Sequence, residues 1–287
     1  MSIKSVQTRE IRSISRKRFG TNLVDWRKTL LLLPPRYSMY TGKGCKVAII
    51  SSGVESHTDL RVERHIVMLS NYIKRYYFRE RVIDFTGYGT FAAGIIGGRC
   101  HSFGVQGIAP ASELYSIAVI KHTGHGKGED LTRALRWCYE NEMDIVALLV
   151  DVEEPTGADI SLIELMARQN RTLVFVNGKE RRTVLDSDPN CISVRACTDL
   201  RRLMPWSHDG IYGMVDAGIH IYSTWKRNTY AKGPPEAIAT PYCVGLGALY
   251  KTGNTHITPK AMRGILYDLA ERHEREGYRG FFIREPK

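Results

Sequence analysis

Two adjacent hydroxyls, Ser51 and Ser52, close the apolar run Lys46-Val47-Ala48-Ile49-Ile50. A serine hydroxyl is a weak nucleophile until a base takes its proton and a carboxylate orients that base. Tyr88, in Phe85-Thr86-Gly87-Tyr88-Gly89-Thr90-Phe91-Ala92-Ala93-Gly94, is a poor base near neutral pH, because an unperturbed phenol titrates at about 10. Lys179 is a better partner chemically, since serine–lysine pairs do act as hydrolytic variants. Within Lys179-Glu180-Arg181-Arg182 it equally reads as an exposed loop lysine. Cys243 falls inside a helical stretch and reads as a buried thiol. His122 and His125 have an H-x-x-H spacing on a loop, but no third ligand accompanies them, so solvated histidines fit better than zinc.

These groups need a framework to hold them. Apolar runs at Val47–Ile50, Leu114–Ile120, Ile145–Val150 and Leu173–Val176 alternate with helical stretches at Tyr88–Gly97, Leu131–Glu142, Ser161–Arg168 and Ala237–Tyr250. Continuous apolar strands between helices predict an α/β fold with a buried, mostly parallel central sheet and helices on both faces, a three-layer arrangement. With 287 residues, 43% of them hydrophobic, the chain can bury one large core. The expected division is a basic arm or short helical extension over 1–34 and a single domain over 35–287.

Charge is uneven. The chain carries +11, and residues 1–40 hold nine basic residues against two acidic ones, so +7 lies in the arm and the few residues after it. Arg9, Arg12, Arg16, Lys17, Arg18, Arg27 and Lys28 make it a candidate for nucleic acid or another polyanion, or for docking onto acidic patches of its own domain. Asn22–Leu33 reads as a short helix stopped by Pro34-Pro35. Its four consecutive leucines, Leu30–Leu33, are too few for a membrane span or a secretory core, so no transmembrane segment and a cytoplasmic location are expected. The six cysteines have no C-x-x-C spacing and read as free thiols.

Several motifs then fall in one order. Lys46-Val47-Ala48-Ile49-Ile50-Ser51-Ser52-Gly53-Val54 with His57-Thr58-Asp59-Leu60 resembles KVAVIDSGI…HPDL. Phe85–Gly94 resembles the segment around HGTHVAG. Ser102–Pro110 is similar to IGVLGVAP, Thr172–Lys179 to VVVAAAGNEG, and Met214–Gly218 to VMAPG. Gly233-Pro234-Pro235-Glu236-Ala237-Ile238-Ala239-Thr240-Pro241-Tyr242-Cys243-Val244-Gly245 resembles NGTSMASPHVAG. Together they resemble the subtilisin-like serine protease family over roughly residues 35–285.

The resemblance implies a subtilisin-like fold and places the family's catalytic positions at Ser51 (aspartate), Tyr88 (histidine) and Ala237 (serine), with Lys179 at the oxyanion asparagine. An inactive member, a pseudoprotease serving as a protein-binding or regulatory module, is therefore expected, with polyanion binding by the arm as the alternative and a rearranged hydrolase as a third. These positions are expected to converge at the C-terminal edge of the sheet. Family enzymes hold a peptide as an added strand between two edge segments. The resemblance places that cleft's rim at Gly124, His125, Gly126, Leu149 and Asp151. Asp151 is expected to obstruct a strand there, where the family has glycine. The family's calcium aspartate corresponds to Asp59, but Arg99-Cys100-His101 is a poor loop for a hard cation. No cofactor and no metal are expected, and a protein partner is.

Overall fold

The computed structural model describes residues 2–5, 11–20, 22–29, 39–70, 83–100, 102–169, 172–177, 184–197, 211–214, 221–234 and 237–266. The arm contributes β1 (Ser2–Ser5), β2 (Arg12–Ile14), the single helical turn α1 (Arg16–Phe19) and β3 (Leu23–Asp25). The body begins with β4 (Lys46–Ser51) and β5 (Val62–Val67), followed by α2 (Tyr88–Gly97), β6 (Gly104–Gln106), β7 (Glu113–Ala118) and β8 (His125–Lys127). Then come α3 (Gly128–Glu140), β9 (Ile145–Leu148), β10 (Val150–Val152), α4 (Gly157–Arg168) and β11 (Leu173–Asn177). After α5 (Val184–Ser187), β12 (Cys191–Cys197) and β13 (Ile211–Met214) comes the hairpin β14 (Ile221–Trp225) and β15 (Thr229–Gly233), which leads into α6 (Ala239–Gly253).

A seven-stranded sheet in the order β13-β12-β11-β9-β4-β7-β5 forms the centre, and every neighbouring pair in it is parallel. Side chains alternate across a strand, so each central strand feeds two cores. Val47 and Ile49 of β4, Ile145 and Ala147 of β9, and Leu173 and Phe175 of β11 pack with α2 and α6. Ala48, Ile50, Val146, Leu148, Val174 and Val176 face the opposite way, onto α3 and α4. This double burial explains why the strands read as unbroken apolar runs, and it makes the expected three-layer α/β fold the observed one.

All ten residues of α2 are buried. The β14 strand is stitched to this helix by Ser223 Oγ, which donates to Phe91 O, and Thr224 Oγ1, which donates to Thr90 O, each at 2.6 Å. Gly94 permits the approach, because a Cβ there would lie 2.3 Å from Ser223 Oγ. α4 starts with a capping box, Thr156 and Asp159 exchanging backbone donors.

The arm is woven into the body. β2 adds to β15, and β3 pairs with β6. Phe19 stacks on Tyr230 at 3.9 Å, Trp26 is buried, and Arg27 Nη1 donates to Tyr40 O and Ile108 O. The helix expected from Asn22 gives way to β3 and one 3-10 turn at Trp26–Thr29, because Leu23–Asp25 find a ladder partner in β6. Residues 30–38, with the expected boundary at 34, lie outside the described residues, as do Arg9 and the Lys28 side chain.

Candidate peptide-binding cleft

Strand β1 lies between β8 and β10, antiparallel to both, as the middle of a three-stranded sheet. Ile3 stands opposite Gly126 and Val152, Lys4 opposite His125 and Asp151, and Ser5 opposite Val150. The Ser5 amide also donates to Gly124 O at 2.8 Å. Gly124 has φ +79° and closes a tight loop in which its amide donates to Lys121 O. Gly126 must lack a side chain, since a Cβ would sit 2.0 Å from Val119 O and 2.9 Å from Ile3 Cγ1. Ile3 is fully buried in a pocket of the core that holds Val119, Leu131, Leu135, Val150 and Val152. Lys4 and Glu153 form an exposed ion pair at 3.0 Å.

Asp151 does not obstruct this strand, contrary to the sequence-based expectation. Side chains stand perpendicular to a sheet, so its carboxylate leaves the plane in which the backbone ladder forms. The rim residues Gly124, His125, Gly126 and Asp151 thus border one occupied groove, with Leu149 buried at the end of β9. Its occupant is the chain's own N-terminal segment. Strands of three or four residues pairing across more than a hundred positions leave no local trace in the sequence.

Close to this groove, Ser51 ends β4. Its Oγ donates to Gly53 O at 3.2 Å and accepts from Gly53 N. A Cβ on Gly89 would meet Ser51 Oγ at 2.3 Å, so this serine abuts the first turn of α2. Tyr88 opens that helix with its ring buried and its hydroxyl without a hydrogen-bond partner among the described residues. Burial, and secondarily the Asp151 carboxylate, push the phenol well above its ordinary pKa, so it stays protonated. Ala237 is 3% exposed just ahead of α6, in the same apolar core as Tyr88. Lys179 lies outside the described residues. Cys243 is fully buried, and desolvation raises its thiol pKa, which suppresses the nucleophilic thiolate.

Ser52 leads to a residue that the sequence reading passed over. Ser52 Oγ donates to Asp84 Oδ1 at 2.5 Å. The Asp84 carboxylate also accepts from Gly87 N, Thr90 N and Thr90 Oγ1, each at 2.8 Å, and is fully buried. An anion meeting free amides at a helix start is favoured by those donors and by the helix dipole. The signal was a lone aspartate three residues before the glycine-led start of a buried helix. Ser51 thus donates to a backbone carbonyl, and Ser52 to a carboxylate that three other donors also hold.

A third cluster surrounds Asp59. Its Oδ2 accepts from Val105 N and Tyr230 OH, both at 2.9 Å. His57 Nδ1 accepts from Asp59 N, so Nε2 carries the proton toward Thr229 O at 2.9 Å. Burial lowers the His57 pKa, against the opposing pull of Asp59. Two protein donors thus already hold Asp59 Oδ2. His122 and His125 are both exposed, and among the described residues no group of three or more potential ligands is placed to hold a metal. Cys45, Cys100, Cys138, Cys191 and Cys243 are free thiols.

A parallel sheet between two helical layers, with the chain's own β1 added between β8 and β10, defines a three-layer α/β protein. The chain belongs to the Subtilase family, whose profile matches residues 42–281. It is similar to Minor extracellular protease Epr of Bacillus subtilis (28% identity, 83% of this chain, 38% of that protein). It is also similar to Subtilisin Savinase of Lederbergia lenta (26%, 80% of this chain, 84% of that protein) and to Subtilisin of Bacillus pumilus (28%, 73% of this chain, 78% of that protein). The chain spans less than two thirds of some of these relatives, including Epr and the M-protease of Shouchella clausii, of which it covers 60%.

Proposed function

We propose that this subtilase has no peptidase activity and works as a protein-binding or regulatory module whose peptide groove is held by its own N-terminal strand. One observation carries the reading: Ala237, buried at the head of α6 where the motif Gly233–Gly245 puts the nucleophile, has no nucleophilic atom. In subtilisin, a relative, removal of the triad costs roughly 2 × 10⁶ in kcat. A loss near 10⁶ corresponds to about 8 kcal/mol of transition-state stabilisation. Tyr88, held protonated, offers no base in place of the histidine. The filled groove removes a second requirement, access for a substrate strand.

The test compares hydrolysis of an unstructured peptide by the full chain and by an Ile3→Asp variant, in which a buried carboxylate expels β1. Neither should cleave above buffer. Cleavage by the variant alone would convert the reading to an autoinhibited enzyme, and cleavage by both would end it.

A second role, contact with a polyanion through the basic arm, is favoured by a separate observation. Arg12, Arg16, Lys17 and Arg18 are all exposed, and none of them meets a carboxylate among the described residues.

A further inference from the structure

We infer that the surface formed by α1 and the β3–β6 edge docks on an anionic phospholipid bilayer, an inference that rests on the polyanion role of the arm. Large apolar side chains are seldom exposed among the described residues, and two of them meet here. Leu23 is 46% exposed and pairs with Gly104, and Phe103, the residue next to that glycine, is 37% exposed. Gly104 N donates to Asn22 O, which ties the two segments together. Arg16 lies over the Phe103 ring, 5.5 Å from its centroid, and Lys17 and Arg18 follow on the same exposed turn, whose only buried side chain is Phe19. The one carboxylate of β3, Asp25, is half-buried and accepts from Arg27 N.

Beside this turn, Arg12 stands directly across from Lys232 on the β2–β15 ladder. Like charges placed opposite one another weaken a strand pair, so the folded chain gains nothing from them. Their value lies in an external anion. Two apolar projections set among three to five cations that form no ion pair among the described residues match a membrane surface. The side chains enter the headgroup boundary while the cations meet acidic lipids. Single-stranded nucleic acid would need a bare aromatic face for stacking. Arg16 already covers one face of Phe103, and Leu23 adds nothing to base stacking, so the lipid surface fits better.

The experiment is co-sedimentation of the full chain with phosphatidylcholine vesicles and with vesicles containing about 30% phosphatidylserine, at low and high salt, alongside single-stranded and duplex oligonucleotides. Binding is expected to the acidic vesicles only and to weaken with salt. Arg16→Gln, Lys17→Gln and Arg18→Gln together should lower partitioning about a hundredfold, at roughly fivefold per charge. Leu23→Ser with Phe103→Ser should lower it by about tenfold while leaving the thermal melt unchanged. Equal binding to neutral vesicles, or full binding by the serine double variant, overturns the inference. Binding of oligonucleotides without vesicles overturns it and leaves the polyanion role standing. If neither binds, both fall.

Discussion

The groove that holds β1 and the three positions Ser51, Tyr88 and Ala237 depend on different things. The groove keeps its geometry: β8 and β10 stand apart by one strand's width, Gly126 stays bare, and β1 completes both ladders. Ser51, Tyr88 and Ala237 are all buried, and Ser51 is hydrogen-bonded to Gly53. The difference reflects what each feature depends on. A β-ladder is made by backbone groups and tolerates most side chains, whereas proton transfer and attack depend on particular atoms. On the reading proposed above, substitution stripped the chemistry while the strand-receiving frame persisted.

If these positions are now structural, the polar groups around them should matter for stability more than for any reaction. Asp84→Ala should have the largest effect. It strands Ser52, Gly87 N and Thr90 in the core, at a cost of about 3–5 kcal/mol, lowering Tm by roughly 10 °C in a chemical and thermal melt. Ser51→Ala, by contrast, should cost under about 1 kcal/mol. Equal losses would mean that the two serines are not distinguished as described.

Within the groove, Ile3→Ala should cost about 2–4 kcal/mol locally. It should release β1 rather than unfold the body, so hydrogen exchange should accelerate at Ser2–Ser5 and along β8 and β10 while β4 and β9 stay protected. Acceleration throughout the sheet would show that β1 is an integral part of the fold and not a separable occupant.

Two smaller effects depend on pH. His57 has a folded pKa below its unfolded value, so the unfolded chain binds the extra proton and stability falls as pH drops below about 6.5. His57→Gln should flatten that slope in denaturation measured between mildly acidic and neutral pH. Tyr88 has the opposite placement: its folded pKa is raised, so stability is full below the unfolded value of about 10 and declines above it. Tyr88→Phe should remove part of that decline and, because the hydroxyl is unpartnered, be neutral or stabilising by up to about 1 kcal/mol at neutral pH. A marked destabilisation would reveal a hydrogen bond at the phenol.

The body of the fold was legible because its strands are apolar on both faces and its helices follow motifs in a fixed order. The helical stretch read from Leu131 begins three residues earlier, at Gly128, where the sequence pattern is polar. The arm was not legible. Ser2–Ser5 carries one buried residue, Ile3, and its partners Gly126 and Val152 are separated from it by most of a domain. Asp151 does not obstruct the strand because its side-chain charge stands out of the plane of the ladder. Asp84 lies just before the motif Phe85–Gly94 and carries no motif signal of its own, although a helix opening on Gly87 needs an acceptor from somewhere. The positions of Ser51, Tyr88 and Ala237 were readable from the motifs, but the hydrogen-bond partners of Ser51 and Ser52 required coordinates.

The most direct test of the central claim is labelling with a fluorophosphonate probe, applied to the full chain and to the Ile3→Asp variant with its groove open, followed by mass spectrometry of the digested protein. The account predicts no modified serine in either form. It predicts the same after Ala237→Ser, because no base is available beside the restored hydroxyl. A phosphonylated Ser51, Ser52 or any other serine in the unmodified sequence would contradict it.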